Sequence, residues 1–422
     1  MFVKIWSKLV KSEFSKNVST QILGTGIAQA LPFLATPILT RIYSEEDFAL
    51  YTSFFAIASI FAVAVGGKYH LAIVLPKNND DAKKVFVLSV YLSIVHAILT
   101  AAILPLVSNF FPENLEDVLK YVPIYILFFG TWSAYINMSI RYKRFKNNAL
   151  AKVVQALGYI LTAIGIGISK SLEFGLVIAK ISGTIISWIF LKSKTDSKFN
   201  WFAVKDLKGT AKSYIDYPKF GIWPSLLNTI TLQALVLILT KYYSQEDLGF
   251  YGLTFMALSA PLTLIGASFK DVFYQKTASM ITEGRIKALQ LFFRKSAAAL
   301  FILGIPICLI LYFFGESLFG FVFGAKWERS GEFASILAFS FTVKLVVSPL
   351  SSIFNVTNKL KTAAKWQVLY FVSTFGTLFY CASILQSSII DLLIIYVIHE
   401  IILYSTYLII QLRTLQEFKT TI

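Results

Sequence analysis

The chain has 422 residues, of which 56% are hydrophobic and only 15% charged, with 38 Phe, a mean hydropathy of +0.67 and a net charge of +16. That leaves too little polar surface for a soluble globule of this size, so the composition points to a membrane protein. The apolar runs are rich in Leu, Ile, Phe and Ala without period-two alternation, which argues against an outer-membrane β-barrel.

In chain order, residues 1–16, MFVKIWSKLVKSEFSK, place Lys4, Lys8 and Lys11 on one helical face and Phe2, Ile5, Trp6 and Leu9 on another. This is the pattern of a segment lying on a membrane surface. No small-residue site follows a short apolar core, so a cleaved signal peptide is not expected. About 20 apolar residues cross roughly 30 Å of hydrocarbon. Runs of that length predict spans at 17–40, 48–67, 85–111, 119–140, 149–169, 172–191, 217–240, 248–269, 288–314, 332–355, 363–385 and 388–411. The expected fold is therefore an all-α polytopic membrane protein of about twelve transmembrane helices. Residues 192–216, KSKTDSKFNWFAVKDLKGTAKSYID, read as a basic cytoplasmic linker with a surface-lying helix. The linker separates an N-lobe, 17–191, from a C-lobe, 217–411, and 412–422 form a cytoplasmic tail.

A short connector occurs twice. LTRIYSEEDFALY, residues 39–51, returns 200 residues later as LTKYYSQEDLGFY, residues 239–251, with seven of thirteen positions identical. Both copies join an odd span to the next even one. Six spans separate them, an even number, so the second lobe enters the membrane from the same side as the first, and the two six-helix lobes form a parallel repeat. The match extends inward, where Gly66-Gly67-Lys68-Tyr69-His70 aligns with Gly266-Ala267-Ser268-Phe269-Lys270. On that alignment each second helix is expected to end in Gly, aromatic and cation.

Charge orients the bundle. With the amino terminus inside, 30 of the 39 Lys and Arg fall in inner segments and six in outer connections, while Lys152, Lys180 and Lys344 lie within spans. This positive-inside excess places both termini in the cytoplasm. The basic loops then face anionic inner-leaflet lipids, so the net charge calls for no nucleic acid.

No Walker loop or dinucleotide fingerprint is present, and no cofactor is expected. Gly24-Thr25-Gly26 reads as a close helix contact rather than a phosphate cradle. Cys308 and Cys381 fall in separate helices and read as small apolar core residues. His70, His96 and His399 are too widely spaced for a metal cluster.

The residues that carry chemistry are ionisable groups at membrane depth, which are costly there and face a cavity or a partner. Lys180 falls in the sixth span, Lys344 in the tenth, and His399 and Glu400 in the twelfth. Lys344 reads either as a cavity cation or as half of a structural pair. Lys180 and Glu400 read as lobe-stabilising partners, with His399 and Glu400 also candidates for ion coupling. Pro32 and Pro37 in the first span, and Pro218 and Pro224 in the seventh, remove helical hydrogen bonds and permit bending. Gln21, Gln29, Asn228 and Gln233 make the same two helices partly polar.

The stretch Pro37-Ile-Leu-Thr-Arg41-Ile-Tyr-Ser-Glu-Glu-Asp-Phe48-Ala-Leu-Tyr51 resembles the first outer turn of bacterial polysaccharide flippases. Asp247-Leu-Gly249-Phe-Tyr251, Ala260-Pro261-Leu-Thr-Leu-Ile265-Gly266 and Asp271-Val-Phe-Tyr274-Gln resemble the second-lobe pattern of Wzx-type O-antigen flippases. These belong to the multidrug/oligosaccharidyl-lipid/polysaccharide exporter superfamily. The resemblance covers nearly the whole chain in length, span count and repeat. It implies that a lipid-pyrophosphate-linked oligosaccharide crosses the bacterial inner membrane by alternating access between two lobes around a cationic cavity. It also implies a polysaccharide polymerase and a chain-length regulator as partners, and no enzymatic activity.

On this reading the cavity cations are Lys344, Lys68, Lys270, Arg41 and Lys180. Lys68 stands where an arginine is often found, and would hold phosphate as a point charge without a bidentate fork. Tyr69, Tyr274 and Trp223 are candidates for stacking on sugars. Two rivals stay open: an ion-coupled drug or metabolite antiporter of the same superfamily, and a polysaccharide polymerase or ligase. The first would favour buried carboxylates. The second would need an outer loop larger than the roughly 15 residues of the longest one here.

Overall fold

A computed structural model of the chain describes residues 13–107, 111–170, 172, 174–195 and 206–420. The described residues are helical apart from short connections and include no strand. The twelve long helices are α1 (Glu13–Ile42), α2 (Glu45–Ala62), α3 (Asn79–Val107), α4 (Val122–Arg141), α5 (Phe145–Ser169), α6 (Gly175–Lys194), α7 (Asp216–Tyr242), α8 (Gln245–Thr282), α9 (Ile286–Phe323), α10 (Glu328–Leu350), α11 (Leu360–Phe379) and α12 (Ile389–Thr420).

Among the described residues nine helices, α3 and α5 to α12, are long and apolar enough to cross a membrane. A tenth span forms if α2 is joined to the 3-10 segment Val65–Val74, from which it is bent by 60°. α1 and α4 are 30 and 20 residues long, stand where the first and fourth spans are predicted, and carry hydroxyl and amide side chains among apolar ones. The chain is thus an all-α multi-pass membrane protein whose helices are consistent with twelve spans. The amphipathic reading of the first 16 residues falls mostly outside the described residues, as does the surface helix proposed around Trp201. Within the rest of the linker, Leu207–Ser213 is a short helix capped by Asp206, whose carboxylate accepts from the Gly209 amide at 2.9 Å.

The chain divides into two compact units, Met1–Thr229 and Ile230–Ile422. In the first unit α1 lies against α5 so closely that a Cβ on Gly24 would be 2.8 Å from the Ala149 Cα, the close helix contact expected there. α5 meets α6 in the same way at Gly158 and Gly183. Phe86 packs edge-on against Tyr135, which does the same to Trp188, filling the space between α3, α4 and α6. In the second unit α9 and α10 cross at Gly315 and Gly331, and α12 packs on α10 and α11.

The repeated connector has a physical reason at nearly every position. Leu39 and Leu239 are fully buried, and their carbonyls accept from the amides of Tyr43 and Tyr243. Ser44 caps α2 through the Asp47 amide, and Ser244 caps α8 through the Asp247 amide. The Tyr43 hydroxyl donates to the Ala163 carbonyl in α5 at 2.7 Å, and that of Tyr243 to the Ser387 carbonyl, between α11 and α12, at 2.9 Å. Tyr51 stacks on Phe55, as Tyr251 does on Phe255. The two aspartates then diverge. Asp47 closes a capping box on the Ser44 amide at 2.9 Å, whereas Asp247 pairs with Arg329 of α10 at 2.7 Å.

The inward extension of the repeat does not hold. Three successive residues, Gly66, Gly67 and Lys68, adopt left-handed conformations with φ of 56°, 55° and 58°, and they break the helix after α2. A Cβ on Gly66 would lie 2.5 Å from the Ser89 hydroxyl, so glycine is needed there for space as well as for conformation. In the second unit Ala267 and Ser268 replace Gly67 and Lys68, and α8 runs on without a break to Thr282. The second helix of that unit therefore does not end at Gly266. A single glycine leaves the right-handed helix preferred on both sides of it.

Candidate functional site

α12 is an apolar helix with a polar stripe: Tyr396, Glu400 and Tyr404 recur every four residues on one face, and Gln411 follows two turns on. The stripe faces α10 and α11, and there the side chains gather into a charge cluster. The Lys344 ammonium of α10 lies 2.6 Å from Glu400 Oε2 and donates to the Tyr396 hydroxyl at 3.1 Å. From α11 the Tyr370 hydroxyl donates to the same Glu400 oxygen at 3.1 Å. The ammonium also sits 5.5 Å from the Phe341 ring, 5.2 Å from that of Tyr396 and 5.7 Å from that of Tyr404. Below the cluster Trp366 stacks on Tyr407 at 4.4 Å and on Tyr370 at 6.3 Å, closing it with aromatic surface.

Burial within the cluster is graded. The Lys344 side chain is 12% exposed and that of Glu400 is 0%. Among the described residues Glu400 Oε1 has no hydrogen-bond partner, and neither ring nitrogen of His399 has one. His399 Nδ1 is 3.8 Å from Oε1, near enough for charge to be felt and too far for a hydrogen bond. Lys344 and Glu400 thus form a buried ion pair, a pairing that is new from the structure. Tyr370 and Tyr396 were not singled out from the sequence. The four-residue recurrence of polar groups along α12 is the signal that would have found Tyr396.

Lys180 of α6 is placed differently. Its ammonium lies 5.0 Å from the Phe55 ring of α2, with no carboxylate or hydrogen-bond acceptor near it among the described residues. The repeated Tyr-x-x-x-Phe pair of α2 is therefore next to a lysine without a counter-ion, while its equivalent in α8 belongs to the unit whose lysine has one. Lys152 of α5, a third lysine at depth, donates to the Thr25 hydroxyl of α1 at 2.8 Å.

The other predicted cations lie apart from these groups. Lys68 donates to the Gly221 carbonyl at 2.9 Å and to the Ser225 hydroxyl in the first turns of α7, which ties down its left-handed backbone. Lys270 is exposed on α8. Arg41 is in the last turn of α1 and reaches the Pro37 carbonyl. Of the prolines, Pro32 and Pro37 lie inside α1 and Pro224 inside α7, each leaving a carbonyl one turn earlier without its amide. Thr36 and Thr40 donate to the Pro32 and Pro37 carbonyls. Pro218 is the third residue of α7, a position where no intrahelical bond is lost. Among the described residues no group of three His, Cys, Asp or Glu is arranged to hold a metal ion.

Comparison with known proteins agrees with this architecture. Residues 38–332 match the model of a family described as polysaccharide biosynthesis protein. Over 394 residues the chain is 22% identical to the succinoglycan biosynthesis transport protein ExoT of Rhizobium meliloti (strain 1021), covering 90% of this chain and 76% of that one. It is 22% identical over 321 residues to the teichuronic acid biosynthesis protein TuaB of Bacillus subtilis (strain 168), covering 71% of this chain and 63% of that protein, under two thirds of its length. Among solved structures, an inward-facing multidrug resistance MATE family transporter of the MOP superfamily superposes with a TM-score of 0.73 at 15% identity, over 93% of this chain and 96% of that one. The lipid II flippase MurJ in an inward closed conformation superposes with a TM-score of 0.73 at 12% identity, over 94% and 89%. At these identities what the solved structures share with this chain is the fold.

Proposed function

The chain belongs to the polysaccharide biosynthesis protein family, and on that premise we propose that it is a flippase for a polyprenyl-pyrophosphate-linked oligosaccharide, an O-antigen or capsule repeat unit, working by alternating access in the bacterial inner membrane. The observation that carries the reading is the family match over 38–332 in a chain whose described residues are helical and include nine candidate spans. A saccharide joined to pyrophosphate cannot cross hydrocarbon unaided, because each polar group would lose its water without replacement. It needs a polar path with positive charge, while the polyprenyl tail stays in lipid. The charge balance at depth supports such a cargo over a cationic drug: Lys152, Lys180 and Lys344 stand against Glu400, which Lys344 already neutralises.

The proposed orientation has both termini in the cytoplasm, with the basic connections on anionic inner-leaflet lipids. A polymerase and a chain-length regulator would take the product on the far side. Reporter fusions at Asn78 and Asn147 are expected to read as cytoplasmic, and fusions at Glu45, Asn114 and Gln245 as periplasmic; reversal in either half would overturn the orientation. The function is tested in a strain lacking the gene. Surface glycan should be lost and lipid-linked oligosaccharide should accumulate on the inner leaflet, with both effects reversed by supplying the chain. Accumulation on the outer leaflet would instead identify a polymerase or ligase, and unchanged surface glycan would remove the protein from the pathway.

A further inference from the structure

We propose that Lys344 is a shared site for which Glu400 and an anionic head group compete, so that Glu400 takes up one proton for each pyrophosphate-type anion that binds. The proposal rests on the flippase reading for the identity of the anion. It rests on the cluster itself for the exchange.

As it stands, the cluster is neutral: one ammonium, one carboxylate and tyrosine hydroxyls. The groups facing Glu400 are Lys344 from α10, Tyr370 from α11, and Tyr396, His399 and Tyr404 from α12, with Tyr251 of α8 also within electrostatic reach. Among the described residues Lys344 is therefore its one fixed positive partner. An anion arriving at Lys344 would put two negative groups against a single ammonium in a poorly screened interior, where like charges are expensive. Protonating Glu400 removes one of those negative charges and leaves the ammonium to the anion.

The geometry favours this order of events. Lys344 is the member with exposed surface and Glu400 lies behind it, so a ligand meets the lysine first. The proton has a vacant acceptor, because Oε1 makes no hydrogen bond and accepting a proton there breaks none. His399 is the imidazole beside that oxygen, with Nδ1 3.8 Å from Oε1, a gap that one bridging water would span for a proton to pass. Tyr370 keeps its bond to Oε2 in both states. No covalent bond changes: one proton enters the carboxylate when the anion binds and leaves when the anion departs and the ion pair with Lys344 re-forms. The bound state holds one proton more than the free state, so affinity should fall as pH rises, by up to about tenfold per unit where Glu400 is ionised in the free protein.

The test uses the purified full chain in detergent with farnesyl pyrophosphate as the probe. On its addition the infrared difference spectrum of the wild type should gain the carbonyl band of a protonated carboxylic acid, a signal that titration of the phosphate itself does not give. Glu400→Gln should bind the probe without that band, and the pH dependence of its affinity should be shallower than that of the wild type by up to tenfold per unit. If Glu400→Gln does not fold, Lys344→Met/Glu400→Gln replaces it. The double variant has no buried charge to strand, and it should show weakened binding and no band. The exchange is overturned by a wild type that binds without the band, by a band that persists in either variant, or by a wild type that does not bind the probe at all. A flippase driven by another ion would show no band and still restore surface glycan in the deletion strain, so failure here is distinguishable from failure of the flippase reading.

Discussion

Lys344→Met is expected to destabilise the folded protein by about 3–5 kcal/mol, because it leaves the carboxylate of Glu400 buried without a counter-charge. Glu400 has no exposed surface, and its remaining fixed bond is from the Tyr370 hydroxyl, which cannot balance a full charge. Lys344→Met/Glu400→Gln should recover most of the loss. Replacing both members of a buried pair removes the cost of desolvating two charges as well as their attraction. The measurement is the thermal unfolding midpoint of the purified chain for the two single variants and the double. A double variant that simply adds the losses of the singles would show that the two residues do not act as a unit. In the membrane the same set separates stability from transport: the double variant should reach wild-type abundance and still fail to restore surface glycan, since the cation has gone.

How much of this was legible beforehand depended on how local the signal was. Residues 39–51 and 239–251 announce a repeat because capping is local chemistry. A serine oxygen three residues before an amide donor needs no knowledge of the rest of the fold, so Ser44 and Ser244 could be read in place. The helices were legible for a similar reason, since length and apolarity alone decide what spans hydrocarbon. Lys344 and Glu400 were each conspicuous as charges at depth, but 56 residues separate them, and no spacing rule says which of the buried charges meet. That depended on the crossing of α10 with α12. Lys180 shows the converse, with the same cost of burial and the ring of Phe55 in place of a carboxylate. The break after α2 was half-legible: both second helices were read as ending at their glycines, which holds at Gly66-Gly67 and fails at Gly266, because one glycine in a long apolar helix is tolerated.

The tightest crossing in the second unit gives the other large expected effect. α9 buries a narrow stripe, including Gly304, Cys308, Leu311 and Gly315, while Phe301, Ile302, Phe313 and Phe314 point outward. With so little surface in contact, close approach must make up for area, and among apolar helices in lipid van der Waals packing of small residues supplies it. A Cβ on Gly331 would overlap the Gly315 carbonyl oxygen and lie 2.6 Å from the Glu316 Cα, and a Cβ on Gly315 would lie 2.6 Å from the Gly331 carbonyl oxygen. These obstacles are backbone atoms, which no rotamer change can move aside. Gly331→Val should therefore force α9 away from α10 at a cost of about 3 kcal/mol or more, at or beyond the top of the usual range for overpacked cores. The protein should fail to accumulate in the membrane. Gly165 is the internal control, because a Cβ there meets nothing within 4 Å, and Gly165→Ala should be neutral or gain up to about 1 kcal/mol from helix propensity. Equal abundance of Gly331→Val and Gly165→Ala would mean that the α9 and α10 backbones do not approach as closely as the crossing requires.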